Sequence, residues 1–465
     1  MLSFKRPWLI LLLAILLAAA LLALGLVLLA PSIESFSAGS GLESGSTGQI
    51  KVPAGAPLRV TFSQPMQPSS VEAHLTINPP VQGEYAWEET TLTFLPDQPW
   101  PAGATVTITL ASGARANGGL RLPLLRGASL TFTVSNPQIL YLYPTSGPAD
   151  LYLLAPESGL PERLTTIQGG ILSYSATGDG RQIYFAARNG QIYQLDRLTQ
   201  EINLAVPCPA ADCSDPQVSP DGGYLAYVRI PAGEEGPRSY PHVWLQPLPD
   251  GEAQLADPGA ISTRLPGWSS QGWLAYYDEI AQQYRMVNPT NGSRQAFDNQ
   301  TGEAGTWSAD GFSFIAPEIF LIPNAYLGST GSLEPMPTSH LLRYELESGQ
   351  SQDLTGEDTL EDTSPASSPG GQKIAFARKY LDPARWTPGR QLWIMQADGT
   401  QGQALTDDPF HNHSSIRWKP DSSQLLFVRS NQTDLSEPLE IWQINADGSQ
   451  PIRLVIGGFA PQWIP

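Results

Sequence analysis

Hydrophobic and polar residues alternate in short runs between residues 51 and 136. The clearest runs are Leu58–Phe62, Thr91–Phe94 and Thr105–Leu110, where apolar residues alternate with Thr or Arg. An alternation with a period of two predicts strands that have one buried face and one solvent face. Because Pro and Gly separate several such runs, residues 51–136 are predicted to form a β-sandwich.

An ordered set of motifs accompanies these strands. They are Phe62-Ser63-Gln64-Pro65-Met66, Pro79, Gly83, Trp87, Leu92-Thr93-Phe94, Pro96, Gly103 and Asn117-Gly118-Gly119. In this order they resemble the bacterial Ig-like domain of S-layer-type surface proteins. The resemblance implies a spacer or adhesion module without catalytic residues.

Residues 138–465 contain a repeat made of two half-units. The first half, a strand, an Asp-Gly-type turn and a strand, occurs six times, most clearly at Val218–Tyr227, Trp307–Ile315, Ser367–Phe376 and Trp418–Phe427. The second half, a strand pair ending near Leu-Thr, occurs seven times, as at Leu392–Thr406. The last residues, Pro461–Pro465, match the first strand of a seventh first half, and the sequence stops at its turn. Ile139–Leu142 can supply the second strand of that half-unit.

The difference between six complete first halves and seven second halves predicts a seven-bladed β-propeller, closed by a blade that is split between the two termini. Seven units over 328 residues give 47 residues each, near the roughly 40–45 of a propeller blade. A split blade pairs edge strands that would otherwise be exposed. The Leu-Trp-Ile-Met-x-Ala-Asp-Gly and Trp-Ser-x-Asp-Gly patterns resemble TolB-type, WD40-related propeller repeats of bacterial envelope proteins. The resemblance implies the fold of 138–465 and leaves its function open.

The N-terminus contains one long apolar run. Trp8–Ala30 has 23 residues without a charge, preceded by Lys5 and Arg6. About 20 apolar residues span a bilayer, whereas a signal-peptide core usually has only 7–15. We therefore expect a transmembrane signal anchor over 1–32, with the N-terminus cytoplasmic and the bulk extracytoplasmic. A long cleavable signal peptide is the alternative. The Ser- and Gly-rich segment 33–50 predicts a linker, so the expected fold class is all-β after one transmembrane helix.

Composition narrows the partners. The formal net charge is −18, from 26 basic and 44 acidic residues, which argues against nucleic acid as a partner. Cys208 and Cys213 are the only cysteines. Two ligands are too few for structural zinc, so outside the cytoplasm they predict a disulfide.

Strand order predicts where a site could lie. If the strands of a blade are named a, b, c and d, the b–c and d–a connections share one face of the ring. Long connections on a rigid scaffold often carry binding residues. The candidate binding residues are Tyr240, Tyr326, Tyr380, Arg385, Trp386, Glu361, Asp362, Asp407 and Asp408. The alternatives are that the aromatic residues pack within their own loops and that the acids only provide solubility. If the acids form a site, the partner is cationic or bridged by a divalent ion, for which carboxylates favour calcium.

Metal and catalytic signals are sparse. His411, His413 and the nearby Asp407 are the candidate metal ligands, although the resemblance to TolB-type repeats implies that residues of these types also serve there in structural hydrogen bonds. A Gly-x-Ser-x-Gly elbow in the repeat region and a His-Glu-x-x-His motif are both missing from the sequence. We therefore expect no enzyme and no obligatory cofactor. The sequence predicts a membrane-anchored binding or scaffold protein for an envelope protein, peptide or glycan; the alternative is a metal-assisted, polysaccharide lyase-like propeller that cleaves glycans.

Overall fold

The structure, a computed structural model, describes residues 16–17, 25, 29–38, 51–52, 57–96, 100–156, 159–231, 240–327, 333–356 and 359–465. The side chains of residues 51, 323–327 and 333–334 lie outside this description. The chain divides into two compact units, Met1–Asn136 and Pro137–Pro465. Both are built from β-strands, with a short helix, α1 (Pro68–Glu72), in the first.

The first unit has eight described strands. They are β1 (Ile33–Ala38), β2 (Lys51–Val52), β3 (Leu58–Phe62), β4 (Leu75–Asn78), β5 (Gly83–Glu88), β6 (Thr91–Pro96), β7 (Thr105–Leu110) and β8 (Ala128–Val134). They form two four-stranded sheets, ordered β1-β3-β6-β5 and β2-β8-β7-β4. The three strands predicted from alternation are confirmed as β3, β6 and β7.

Alternation along these strands builds the core between the two sheets. In β7, Val106, Ile108 and Leu110 are fully buried. The intervening Thr107 faces outward, and its hydroxyl lies 3.1 Å from the hydroxyl of Thr131 on β8. The period of two therefore sorts apolar side chains inward and hydroxyls outward, as the sequence indicates.

The linker predicted over 33–50 is corrected at its start. Residues 33–38 form β1, which pairs antiparallel with β3. Phe36 is completely buried in the sandwich core, and its burial stabilises a strand that the surrounding Ser and Gly residues do not suggest. Residues 39–50 lie outside the described residues.

The predicted transmembrane helix is also corrected, and with it the single-pass localisation. Within the described part of the chain, no helix is long and apolar enough to cross a membrane. Most of Trp8–Ala30 lies outside the described residues; in this run only Leu16, Leu17 and Gly25 are described as helical. Length and hydropathy show that a segment could enter a bilayer, but they do not by themselves specify a continuous helix.

The second unit contains the remaining strands. The first are β9 (Gln138–Tyr143), β10 (Asp150–Leu154), β11 (Pro161–Arg163), β12 (Ile171–Ala176), β13 (Gln182–Ala187), β14 (Ile192–Asp196), β15 (Glu201–Val206), β16 (Ala211–Val218), β17 (Tyr224–Pro231), β18 (His242–Pro247) and β19 (Gln254–Leu255). Next come β20 (Thr263–Trp268), β21 (Leu274–Asp278), β22 (Gln283–Val287), β23 (Arg294–Asp298), β24 (Thr306–Trp307), β25 (Ser313–Leu327), β26 (Leu333–Glu345) and β27 (Ser351–Asp353). The last are β28 (Leu360–Ser367), β29 (Lys373–Tyr380), β30 (Gln391–Gln396), β31 (Gln403–Ala404), β32 (His411–Trp418), β33 (Gln424–Asn431), β34 (Glu440–Asn445), β35 (Ile452–Ile456) and β36 (Phe459–Ile464).

These strands form seven consecutive groups of four, here called blades 1 to 7. Blade 1 is β36-β9-β10-β11, and blades 2, 3 and 4 are β12–β15, β16–β19 and β20–β23. Blades 5 (β24–β27) and 6 (β28–β31) belong to one eight-stranded sheet, because β26 also pairs with β28 at Ser339 and Glu361. Blade 7 is β32–β35.

The chain ends meet within blade 1. β36 pairs antiparallel with β9, with Trp463 opposite Ile139 and Ile464 opposite Gln138. The predicted closed ring is corrected here: no sheet among the described strands closes on itself, and the pairing of β36 with β9 forms an open four-stranded sheet. Trp463 and Ile464 of β36 are both buried, and their apolar contacts with the other strands of blade 1 stabilise the join.

Repeated hydrogen bonds join neighbouring blades and explain the Trp of the repeat. The indole Nε1 of Trp418 donates to the carbonyl of Ala366 in the preceding blade at 2.8 Å. Trp307 donates to Gly267 at 3.0 Å in the same way. One indole thus fills the space between two sheets and satisfies a backbone carbonyl of the inner strand next to it.

Blade 5 has longer strands than its neighbours, since β25 runs to Leu327 and β26 starts at Leu333. β25 and β26 continue past the blade as a hairpin, paired from Ser313 and Glu345 to Leu327 and Leu333. The apolar run Ile319–Ile322 is rich in residues that favour strands, so pairing can continue where the neighbouring blades turn.

Candidate functional site

The b–c and d–a connections define one face of the second unit, called the loop face. Each blade is an antiparallel meander, so connections alternate between the two ends of the strands. Among the described residues, the loop face comprises the b–c connections 144–149, 188–191, 240–241, 279–282, 381–390 and 432–439 and the d–a connections 164–170, 207–210, 256–262, 299–305, 354–356, 359, 405–410 and 457–458. The opposite, turn face carries the short a–b and c–d hairpins.

Backbone hydrogen bonds join three loops of this face into a continuous surface, called the blade 6–7 surface (381–390, 405–413 and 429–440). Gly389 donates to the carbonyl of Pro409 at 2.9 Å, and Gln432 donates to that of Phe410 at 2.8 Å. A Cβ on Gly389 would overlap the backbone of His411. Only glycine therefore allows these loops to approach so closely.

Aromatic and basic side chains stack on the 381–390 loop. The Arg385 guanidinium lies 3.8 Å from the ring centre of Tyr380, and it also pairs with Asp382 at 2.7 Å. The Lys379 ammonium lies 4.8 Å from the ring of Trp386, which is 53% exposed. Arg385 and Tyr380 therefore form one cation–π pair, and Lys379 and Trp386 form a second pair beside the same loop.

The two tyrosines predicted on other loops belong to blades 3 and 5. Tyr240 is half-buried at the end of the b–c connection of blade 3. Tyr326 lies near the end of β25, opposite Glu334 in the backbone register, and its side chain lies outside the described residues.

Two predicted acidic loop residues are instead part of strand β28. Asp362 is completely buried, and both its oxygens accept from Arg378 at 2.8 Å. Glu361 is half-buried and paired with Arg390. The placement of Asp362 on an exposed recognition surface is therefore wrong, because the inner strand begins at Leu360 and turns this side chain into the sheet.

The remaining two predicted acidic residues, Asp407 and Asp408, differ in their contacts. Asp408 accepts from Arg429 Nη2 at 2.5 Å and lies 2.8 Å from Nδ1 of His411. Burial raises the pKa of Asp408, but the contacts with His411 and Arg429 outweigh burial and hold that pKa below its usual value. Asp407 is exposed and has no hydrogen bond or ion pair to another described residue. Only Asp407 is therefore available to a ligand as a free carboxylate.

His413 is buried and neutral. Its exposed fraction is 2%, and Nδ1 lies 2.7 Å from the carbonyl oxygen of Arg390. Since a carbonyl only accepts, Nδ1 carries the proton and Nε2 is an acceptor. Burial lowers the pKa of His413 to about 4.

This buried imidazole predicts a pH-dependent stability. Between pH 6.5 and 4 or so, the unfolded state binds more protons than the folded state, because only the unfolded imidazole has its ordinary pKa. The free energy of unfolding should therefore fall by roughly 3 kcal/mol as the pH is lowered through this window. We expect His413→Phe to remove that component in urea titrations at several pH values. Protonation of Asp408 affects the free energy of unfolding only at lower pH, because the pKa of Asp408 lies below its usual value in the folded state. Parallel pH profiles for the two proteins would contradict the assignment.

A cavity of about 240 Å³ lies between blades 6 and 7, beside Asp407 and His413. Its lining residues come from the 405–408 loop and from strands of blade 7: Leu405, Thr406, Asp407, Asp408, His413, Phe427, Arg429, Trp442, Ile444 and Pro451. The sequence did not single out Phe427, Arg429 or Trp442 as site residues. The sequence offered one signal for Arg429. It directly follows the apolar run Leu425–Val428, and a charged residue after such a run often marks the approach to a loop.

The two candidate metal-binding histidines already have other hydrogen-bond partners. Nδ1 of His411 is directed at Asp408, and Nδ1 of His413 is directed at a backbone carbonyl. Across the described ranges, no group of three or more His, Cys, Asp or Glu residues is arranged to hold a metal ion. Both histidines lie at the start of β32, next to the 405–410 connection. On the same face, Cys208 and Cys213 are joined by a disulfide with a Cα–Cα distance of 6.3 Å.

Comparisons with known proteins support the fold of each unit. Residues 38–134 match the bacterial Ig-like domain family. No curated protein matches the chain. Among solved structures, a puromycin-hydrolysing peptidase of Mycobacterium tuberculosis matches with a TM-score of 0.50 and 13% identity, over 70% of this chain and 52% of that one. This likeness concerns the fold alone.

Two further solved structures match more loosely. A TolB of Agrobacterium tumefaciens matches with a TM-score of 0.40 and 14% identity, over 71% of this chain and all of that one. An oligogalacturonate lyase of Vibrio parahaemolyticus matches with a TM-score of 0.46 and 13% identity, over 63% and 82%. The resemblance drawn from the motifs is thus confirmed for the bacterial Ig-like domain at residues 38–134, and TolB structures are among those to which this chain is similar.

Proposed function

We propose that this chain is a non-catalytic binding protein whose blade 6–7 surface holds a protein or peptide partner. The observation that carries the proposal is the exposure of large apolar side chains on each of the three joined loops. Trp386 and Phe410 are each 53% exposed, and Leu435 is 84% exposed. Exposed apolar groups grouped on one surface are typical of interaction sites.

The scaffold under these residues supports a binding role. The loops are fixed by backbone hydrogen bonds and by the ion pairs of Arg429 with Asp408 and Glu440, at 2.5 and 2.8 Å. A partner would therefore meet a surface that is already ordered, which lowers the entropic cost of association. The Cys208–Cys213 disulfide fits an oxidising compartment, as an envelope partner would require.

A catalytic role has less support. His411 and Asp408 contact each other and Arg429, and His413 is neutral and hydrogen-bonded to the backbone. Each side chain thus already has a structural task that explains its position. We therefore propose no glycan-cleaving activity for this propeller.

The proposal predicts that binding depends on one face only. Peptides would be selected from a random display library on the immobilised full-length chain, and their affinities measured by titration. We expect the combined variant Trp386→Ala, Phe410→Ala and Leu435→Ala to bind them about tenfold more weakly or worse, because anchor residues typically contribute 1–2 kcal/mol or more each.

The turn face offers a matched control. Leu160, Leu198 and Phe312 lie in its hairpins and are also at least half exposed, at 75%, 77% and 50%. Replacing these three by Ala should leave affinity unchanged, with both variants checked for unaltered thermal unfolding. Equal losses in the two variants, or none in the first, would refute a loop-face site.

A further inference from the structure

The cavity between blades 6 and 7 is suited in size to one amino-acid side chain. Its volume is about 240 Å³, below the roughly 300–1,000 Å³ of pockets that hold small molecules or cofactors. Asp407 and Asp408, which line it, belong to the blade 6–7 surface proposed above to bind a partner. A side chain projecting from a bound peptide is therefore the occupant that its dimensions favour.

The walls of this cavity are largely apolar. Leu405, Phe427 and Ile444 are buried members of one apolar cluster, and Trp442 packs against it. An occupant with an aliphatic stem would bury that stem against these groups and displace water from them. A short polar side chain would leave the apolar walls unused.

The charges around the cavity favour a cation. Arg429 and Arg453 are paired with Asp408 and Glu440 at distances between 2.5 and 2.9 Å. These four charges balance, so an anion would find no unpaired positive group. Asp407 is the surplus acid, exposed and without an ion pair among the described residues. An incoming cation therefore meets one carboxylate that it can neutralise.

His413 adds an acceptor inside the cavity. It is 2% exposed and lines the cavity, and its Nδ1–H donates to the Arg390 carbonyl. No other described atom is hydrogen-bonded to Nε2, so that nitrogen presents a lone pair. A buried acceptor of this kind favours an occupant that brings an N–H donor.

We propose that this cavity binds the side chain of a lysine from the partner, with its stem against Leu405, Phe427 and Trp442 and its ammonium at Asp407 and His413. The inference rests on the proposed binding function and names its ligand chemistry. Arginine fits less well, because the Arg429 guanidinium already lies 5.1 Å from the Trp442 ring centre. A second planar guanidinium would find that face occupied, whereas a compact ammonium needs no stacking surface.

The test uses small probes and the full-length chain. Nα-acetyl-lysine methylamide, its Nζ-acetylated form and the norleucine and arginine analogues would be titrated and followed by saturation-transfer NMR. For the lysine probe we expect a dissociation constant of about 1 mM, the strength typical of a ligand with some 14 non-hydrogen atoms. The other three should bind about tenfold more weakly or worse.

Two variants separate the carboxylate from general surface charge. Asp407→Asn should weaken lysine-probe binding about tenfold and reduce its dependence on salt. Glu437→Gln removes an exposed acid of the same surface and should change binding less than twofold. Equal binding of the lysine and norleucine probes, no binding of the lysine probe, or no effect of Asp407→Asn would each overturn the lysine site. The proposed function fails separately, if the Trp386, Phe410 and Leu435 variant still binds the selected peptides.

Discussion

Replacing Asp362 by Asn is expected to lower the free energy of unfolding by about 3–5 kcal/mol. Asp362 is completely buried and makes two hydrogen bonds of 2.8 Å to Arg378. The guanidinium also lies about 5 Å from the ring centres of Phe376 and Trp393. Removing only the carboxylate would leave a positive charge in a low-dielectric site without its counter-ion. Chemical denaturation monitored by tryptophan fluorescence measures the loss.

The neighbouring residue supplies a control for this experiment. Glu361 pairs with Arg390 in a half-exposed position, so Glu361→Gln should cost no more than about 1 kcal/mol. Combining Asp362→Asn with Arg378→Met should recover much of the loss, since it removes the unpaired charge. If Asp362→Asn unfolds at the same denaturant concentration as the unaltered protein, the pair does not stabilise the fold as described.

Replacing Ile464 by Ala is expected to destabilise the propeller by about 2–5 kcal/mol. Ile464 is 1% exposed and packs with Leu140, Leu142 and Ile183 at the join between the chain ends. The loss would combine the transfer free energy of the missing methyl groups with the cavity left behind. Because β36 holds blade 1 together across the two ends of the unit, we also expect proteolysis to increase first at the C-terminal strand.

An exposed isoleucine of the adjacent blade serves as the comparison. Ile452 is 51% exposed on the outer strand of blade 7, so Ile452→Ala should change stability by no more than about 0.5 kcal/mol. Thermal unfolding and limited proteolysis of both variants measure the difference. Similar stabilities for the two variants would show that β36 is dispensable for the join.

Periodicity and repeated motifs allowed much of the architecture to be predicted. Each strand run of the first unit shows its buried face directly, as in β7, because alternation is a local property. The Ser-x-Asp-Gly turns of the repeat are equally local. In one of them Ser219 donates to Asp221 and accepts from the amide of Tyr224, within six residues. The membrane-spanning helix, inferred from the length, hydropathy and basic flank of Trp8–Ala30, was not found among the described residues.

Irregular features were missed because they depend on neighbouring strands. The inner strands β16, β20, β28, β32 and β36 each contain a bulge, with positive φ angles at Asp215, Leu265, Ser364, Ser415 and Ala460. No single residue type marks these positions. A bulge adds an unpaired residue to one strand of a pair, so it becomes apparent only when the partner strand is known.

By itself, the sequence determined the all-β character of both units, the repeat and the disulfide candidates, because each follows from local patterns or from counts. Only the tertiary structure decided which acids are available to a partner. Asp407 and Asp408 are adjacent in sequence, yet Asp408 is neutralised by Arg429, which lies on a strand 21 residues away, and Asp407 is not. Charge pairing depends on distances through space, and those are set by the strand register and by which loops meet, rather than by the order of residues along the chain.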